Sequence, residues 1–156
     1  MFPCWINLEL SRVLGDAFIA MFKALKKFKS LQIVELNSAF LYLDSFSNIF
    51  GKMVTHLIVK DMPFNSGTLS KISQRFPNLT YFFVGNALMK SKKNPEDIHQ
   101  SLEELPKLVE KIFHANTKVE IQLHFTTWTY DCIDTAEEYE LYKTPFHSCV
   151  MKKLAN

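Results

Sequence analysis

This sequence is short of glycine and cysteine, and it lacks any long apolar run. Only four of its 156 residues are glycine, which argues against a glycine-rich phosphate-binding loop and against a turn-dense β-sandwich. Its three cysteines, Cys4, Cys132 and Cys149, are too few and too scattered for a disulfide framework, which favours a reducing compartment. No segment matches a membrane span of about 18–20 apolar residues or a secretory signal. We therefore expect an intracellular, cytoplasmic protein.

Charge gives little indication of a partner. The net charge is +2, which is too small to predict nucleic-acid binding. Two lysine-rich segments, residues 23–29 and 90–93, stand out from this balance. The solvated outer face of an amphipathic helix explains the first of them. The alternative is a surface for an anionic partner, whose binding would depend steeply on salt.

The residues that usually carry chemistry are not arranged in recognised motifs. None of the five histidines forms the i, i+4 pair of a helical zinc site, and His147-x-Cys149 is not a standard ligand pair. No dinucleotide fingerprint or nucleophile elbow is present. The sequence therefore predicts no catalytic residue, no metal site and no cofactor, and it does not indicate an oligomeric state.

Four short apolar segments with the same internal spacing are the most informative feature of the chain. They are Trp5-x-x-Leu8-x-Leu10, Leu31-x-x-Val34-x-Leu36, Val54-x-x-Leu57-x-Val59 and Leu79-x-x-Phe82-x-Val84. Their starts are 26, 23 and 25 residues apart, and a nearly constant period of this length is typical of a repeat array. Each unit would supply one strand and one return helix, and stacking would bury the apolar face that a single unit leaves bare.

This period predicts an α/β fold in which a parallel sheet of about five strands carries its helices on one side. The whole chain, 1–156, would be a single repeat domain with units at about 5–30, 31–53, 54–78 and 79–117 and an irregular unit at 118–130. Residues 131–156 would form a C-terminal cap and tail. Within the cap, apolar spacing predicts a closing helix over 131–142 with four inward residues: Ile133, Ala136, Tyr139 and Tyr142.

Helical spacing is also present between the predicted strands. Residues 16–28 form one amphipathic stretch, and later stripes comprise Phe46, Ile49 and Phe50, then Leu69, Ile72 and Phe76. Gly51 lies where a C-cap glycine would lie. Another helix opens at Glu96, and Pro106 inside it predicts a kink or a division into two short helices.

The repeated segments and their helices resemble leucine-rich repeats over about residues 5–125. The family usually places Asn or Cys eight residues after the first leucine, where this chain has Val13, Ala39, Met62 and Ala87. The period is most similar to the helix-bearing class, which includes ribonuclease-inhibitor-like repeats and the repeats of F-box proteins. The resemblance implies a solenoid that binds another protein. It also implies, as an alternative, the substrate-recognition part of an F-box-type ubiquitin ligase adaptor.

A small doubly wound α/β sandwich would give similar spacing and stays open as an alternative. Its central strands are buried on both faces and read as unbroken apolar runs. Polar residues such as Glu35, His56 and Lys60 interrupt the strands of this chain. That pattern favours the repeat. A small enzyme on the alternative fold would have its site at the strand ends, near residues 37–38, 60–61 and 85–86.

In a repeat array, the outward residues of the strands line the concave face of the sheet. The expected middle column is Glu9, Glu35, Ile58, Phe83 and Gln122. Apolar residues on such a face, ringed by polar ones, are typical of protein interfaces. We expect a non-enzymatic protein-binding module whose partner contacts Glu35, Asn37, His56, Ile58, Lys60, Tyr81 and Phe83. Alternatively, the loop at 90–95 or the C-terminal tail covers the aromatic residues.

The first unit begins close to Met1, and no polar cap precedes it. Solenoids normally protect the apolar edge of the first repeat. The first residues, a partner or additional chain would have to cover that edge. Of these, we favour additional chain, so that the sequence would be part of a longer protein.

Overall fold

Seven β-strands form one sheet and lie side by side in the order in which they occur in the chain. The computed structural model describes residues 4–9, 20, 23–24, 31–37, 43–61, 65–91, 95–129 and 132–155. The first five strands are parallel, the sixth runs antiparallel to both of its neighbours, and the seventh has the direction of the first five. The strands are β1 (Cys4–Glu9), β2 (Leu31–Asn37), β3 (His56–Lys60), β4 (Tyr81–Ser91), β5 (Glu120–Thr129), β6 (Cys132–Thr144) and β7 (His147–Lys153).

Helices connect the parallel strands. Those with described bounds are α1 (Leu43–Phe50), α2 (Ser66–Arg75) and α3 (Pro95–Ile112). Their buried residues and one face of the sheet form a single apolar core. The predicted α/β class and its parallel strands are confirmed. The predicted helix over 16–28 lies outside the described residues except at Ala20, Lys23 and Ala24.

The apolar positions of the second, third and fourth segments coincide in space as well as in sequence. Val34 lies beside Leu57, and Leu57 lies beside Phe82. All nine motif residues of these three segments have at most 2% of their surface exposed. We call this side of the sheet the core face. The repeated spacing therefore marks the residues that hold the helices to the sheet.

The first segment has a different phase from the one predicted. Ile6 and Leu8 of β1 lie beside Val34 and Leu36, whereas the motif predicts Leu8 and Leu10 there. A register irregularity between Cys4 and Trp5 accompanies this shift. Side chains alternate between the faces with a period of two, so a slip of two residues preserves the apolar alternation. The sequence pattern alone could not choose between the two registers.

Equivalent hydrogen bonds link the units where β3, β4 and β5 begin. The backbone N–H groups of Thr55, Thr80 and Glu120 donate to the carbonyl oxygens of Gln32, Thr55 and Thr80, at 2.8, 2.8 and 2.9 Å. The hydroxyl groups of Thr55 and Thr80 donate to the same carbonyls of Gln32 and Thr55. Thr55 and Thr80 follow the first apolar residue of their segments, and Glu120 follows the buried Val119 in the same way. The units thus have equivalent backbone contacts in addition to equivalent apolar positions.

The ends of α1 and α2 have clear local causes. Asn65 caps α2, because its side-chain oxygen accepts the N–H of Thr68 at 3.0 Å. Gly51 follows α1 and donates its N–H to the Ser47 carbonyl at 2.8 Å. The prediction for Ile49 was wrong: it is 36% exposed, whereas Phe46 and Phe50 are buried.

Pro106 lies inside one continuous helix, so the predicted division into two short helices was wrong. A proline inside a helix removes one hydrogen bond and costs about 3 kcal/mol. Buried residues on both sides of it, Leu102 and Leu105 before and Val109 and Phe113 after, contact the same core. We infer that this shared packing keeps α3 in one piece.

The predicted closing helix over 131–142 was also wrong. The segment forms most of β6, and the residues after it form β7. Tyr139 and Leu141 of β6 are buried beside Phe125 and Leu123, whereas Ala136 and Tyr142 are exposed. Pairing with the edge of β5 thus decides the structure of this segment.

β4 is longer than its sequence suggests because a bulge allows it to continue past Gly85. Between Val84 and Ala87 the register with β5 shifts, and Asn86 adopts a left-handed φ of 52°. The strand then runs to Ser91. Residues 92–94 of the predicted loop lie outside the described residues. Ala87, which stands where the family usually has Asn or Cys, is buried; Val13, Ala39 and Met62 lie outside the described residues.

The strand order does not fit the doubly wound alternative. That fold requires a point at which the strand order reverses. No such point exists among the seven described strands, which follow chain order throughout. The described helices pack against one face of the sheet and form a single core with it. The other face carries polar and aromatic side chains.

Candidate functional site: the open face of the sheet

The second face of the sheet, which we call the open face, carries one continuous row of residues across all seven strands. We call it the central row; from β1 to β7 it comprises Asn7, Glu35, Ile58, Phe83, Gln122, Tyr142 and Val150. Four members match the predicted column. Asn7 replaces Glu9, which lies beside Asn37 because of the register in β1.

Phe83 occupies the middle of the central row and is held by its neighbours. Its ring centroid lies 5.5 Å from that of His124 on β5. A Cβ added to Gly85 would lie 2.8 Å from Cε1 of Phe83, so the ring leans along β4 over this glycine. Phe83 is half-buried and does not belong to the core. It is therefore an aromatic residue fixed in position on a face without a described helix.

A salt bridge borders the apolar middle on one side. Lys60 Nζ lies 2.6 Å from Glu35 Oε1. The Glu35 side chain is only 10% exposed, whereas that of Lys60 is 40% exposed. The lysine therefore compensates a mostly buried carboxylate and keeps part of its own surface in solvent. In the next row, the ring centroids of His56 and Tyr81 lie 5.9 Å apart.

A second polar network borders the other side, and it depends on β6 and β7. Glu140 accepts from Gln122 at 3.0 Å, and its carboxylate lies 3.1 Å from His124 Nε2 and 2.7 Å from Lys152 Nζ. Hydrogen bonds from Lys152 and Gln122 lower the pKa of Glu140. This network ties β5, β6 and β7 together beside Phe83.

Two tyrosines flank the carboxylate of Glu120 at the start of β5. Tyr81 lies beside Glu120 in the parallel register, and the Tyr142 hydroxyl donates to Glu120 Oε1 at 3.1 Å. Burial, followed by the negative charge of Glu120, raises the pKa of Tyr81. The hydrogen bond to Glu120 is the main cause of the raised pKa of Tyr142.

The structure brings together six of the predicted contact residues on this face: Glu35, His56, Ile58, Lys60, Tyr81 and Phe83. Asn37 lies beside Lys60 in the register, and its side chain is outside the described set. Glu140, Tyr142 and Val150 also lie on this face and were not among the predicted contact residues. Polar and apolar residues alternate from Glu138 to Tyr142, and this pattern was the signal in the sequence that could have indicated a strand there.

The C-terminal segment does not cover the aromatic residues, because it forms β7 at the edge of the sheet. Val150 is 63% exposed and Tyr142 is 41% exposed. Ile58, Tyr81 and Phe83 are half-buried. The central row therefore offers apolar surface that no described helix contacts.

No cluster of three or more metal-ligating side chains exists among the described residues. Cys149 is a partly buried free thiol. Burial, and then the nearby Glu110, raises its pKa to about 12. Its backbone N–H donates to Glu110 Oε1 at 2.7 Å. A thiol with a raised pKa is a poor nucleophile at neutral pH.

A small cavity of about 100 Å³ lies where the enzyme alternative expects a site. Asn86 lines it together with His124, Thr126 and Glu138. Lys60 and Asp61, which the alternative also requires, do not line it. Pockets for small-molecule ligands usually have about 300–1,000 Å³. The cavity therefore gives the enzyme alternative little support.

Comparisons with family models, with curated proteins and with solved structures found no match for this chain. The leucine-rich-repeat resemblance therefore rests on the residues alone and stays a prediction. Within the described segments, every helix is too short or too polar to cross a membrane.

Proposed function

We propose that this protein is a non-enzymatic binding module that docks another protein on the open face of its sheet. The observation that carries the proposal is the central row, in which Ile58 and Phe83 lie between two polar networks. Interfaces commonly have apolar or aromatic anchors surrounded by polar groups that exclude water. Glu35, Lys60 and Glu140 supply such a border.

We also propose that β1–β5 and their helices are a short, irregular leucine-rich-repeat solenoid. The equivalent buried positions and the equivalent hydrogen bonds where β3, β4 and β5 begin support it. The antiparallel pair β6–β7 would close the last unit. The narrower role in an F-box-type adaptor stays a prediction without a specific supporting observation.

Two of the anchor residues have a clear structural role in the docking surface. Phe83 is fixed against Gly85 and His124, so its ring loses little conformational entropy when a partner binds. Ile58 lies beside it in the register and widens the apolar surface. We expect partner contacts to centre on these two side chains.

The test uses the full chain as bait for a phage-displayed library of random peptides. Affinities of the selected peptides are then measured for the original protein, for Phe83→Ala and for Phe146→Ala. Phe146 is the matched control, because it is 90% exposed in the turn between β6 and β7 and lies off the central row. The proposal predicts that Phe83→Ala weakens binding at least about tenfold, equivalent to about 1.4 kcal/mol.

Phe146→Ala should leave those affinities unchanged. If the library yields no binder, or if every binder tolerates Phe83→Ala, the open face is not a docking surface. Circular dichroism of both variants verifies that they remain folded.

A further inference from the structure

Glu120 differs from the other carboxylates that border the central row. Glu35 has Lys60 within 2.6 Å, and Glu140 has Lys152 within 2.7 Å. Among the described residues, no lysine, arginine or histidine lies within 4 Å of Glu120. The residue is half-buried, and its negative charge has no positive partner among these residues. A cation from outside the chain would compensate it.

The surroundings of this carboxylate are aromatic on two sides. Tyr81 on β4 lies beside Glu120, and Tyr142 on β6 donates a hydrogen bond to it. The two tyrosine rings make no ring contact with each other. A carboxylate oxygen has two acceptor positions, so the single phenol hydrogen bond leaves acceptors available to another donor.

A carboxylate beside aromatic rings suits a guanidinium or ammonium group. Guanidinium donates two parallel hydrogen bonds to a carboxylate and also stacks on aromatic faces. Cation–π contacts add about 0.5–1 kcal/mol at exposed positions and more when they are desolvated. One planar arginine side chain can both hydrogen-bond to the carboxylate and stack on the tyrosine rings, whereas lysine can make fewer of these contacts.

We propose that Glu120, Tyr81 and Tyr142 receive a cationic side chain of the docked protein, with arginine preferred over lysine. The inference rests on the proposed function, since it assigns one contact of the same open face. Tyr142 belongs to the central row, and Tyr81 lies two residues before Phe83 on the same face of β4. The cation would therefore lie at a fixed spacing from an apolar anchor of the partner.

The first experiment compares peptides selected by the original chain with peptides selected by Glu120→Gln. Glutamine still accepts the Tyr142 hydrogen bond, so the substitution removes charge and preserves the local structure. Glu138→Gln is the matched control. Glu138, on β6, likewise has no cation within 4 Å among the described residues, but it is exposed and does not lie between tyrosines.

The second experiment uses n-propylguanidinium chloride as a direct probe and follows the NMR signals of Tyr81 and Tyr142. We expect both tyrosines to shift in the original protein and in Glu138→Gln, and we expect Glu120→Gln to abolish the response. A response that survives in Glu120→Gln would contradict the inference.

The peptide results separate this inference from the proposed function. The inference predicts arginine or lysine at one fixed position and at least about a tenfold affinity loss with Glu120→Gln. If peptides bind through Phe83 without a fixed cation, or tolerate Glu120→Gln, the cation site is wrong and the docking surface stands. If no peptide depends on Phe83, the proposed function fails, and with it the contact assigned here.

Discussion

Phe82 and Phe83 are consecutive residues of β4 whose rings lie on opposite faces of the sheet. Phe82 is fully buried, and its ring centroid lies 6.0 Å from that of Phe113. Phe83 is half-buried beside His124 on the open face. Two adjacent phenylalanines thus have different roles: Phe82 contributes to the core, and Phe83 is available to a partner.

Gly85 determines where the Phe83 ring can lie. Alanine would place a methyl group 2.8 Å from Cε1 of this ring and 3.5 Å from Cγ of Lys60. The ring is the end of a side chain and can move, so we expect Gly85→Ala to change the free energy of unfolding by less than about 1 kcal/mol. Binding of the Phe83-dependent peptides should fall about tenfold. Unchanged affinity would show that the position of the ring over Gly85 does not matter for docking.

Gly51 is required by close backbone approach between α1 and α2. A methyl group there would lie 2.1 Å from the Arg75 carbonyl oxygen and 2.6 Å from that of Ser47. Both atoms are backbone, so relief requires the backbone at the ends of α1 and α2 to shift. We expect Gly51→Ala to lower the free energy of unfolding in urea by about 3 kcal/mol.

Gly67→Ala is the matched control for that substitution. Its added methyl group would meet only the Asn65 side chain, at 3.1 Å, and Gly67 is exposed in α2. The change should stay within about 1 kcal/mol, because alanine also favours helix. Equal losses for the two alanine variants would contradict the assigned contact at Gly51.

The Glu140 network predicts a specific dependence of stability on pH. Hydrogen bonds from Lys152 and Gln122 are the main reason that the pKa of Glu140 lies below its ordinary value of 4.5 in the folded chain. A carboxyl group of this kind stabilises the fold above its unfolded pKa, and the contribution is lost as pH falls through the folded pKa. We expect the original chain to lose stability below about pH 5, and Glu140→Gln to show a shallower loss.

Urea unfolding at several pH values between about 3 and 6 measures this difference. Glu138→Gln, on the same strand, should retain the slope of the original protein. Parallel curves for the original chain and Glu140→Gln would contradict the role given to this network.

The sequence predicted the open-face residues of β2–β4 because alternation in a strand is a local property. Glu35, Ile58 and Phe83 follow from the phase of their apolar neighbours, which the core requires. The first unit shows the limit of this reasoning. A two-residue slip leaves the alternation intact, so β1 needed its pairing partner to define the register.

The C-terminal error has a different physical cause. Ile133, Ala136, Tyr139 and Tyr142 match a helical spacing, whereas Tyr139 and Leu141 match an alternating one. Periodicity could not decide between them. The free edge of β5 and the turn before His147 provide the non-local pairing that selects strands. Because most of β6 was predicted as a helix, the contact between Tyr142 and Glu120 could not be predicted from the sequence.

The most direct test of the two-face account is urea unfolding of Phe82→Ala and Phe83→Ala side by side. The account predicts that Phe82→Ala lowers the free energy of unfolding by about 3–5 kcal/mol, as expected for a buried phenylalanine. Phe83→Ala should cost about 1 kcal/mol, since its ring lies outside the core. If Phe83→Ala destabilises the chain as much as Phe82→Ala, or unfolds it, Phe83 is a core residue and the open face is not available to a partner.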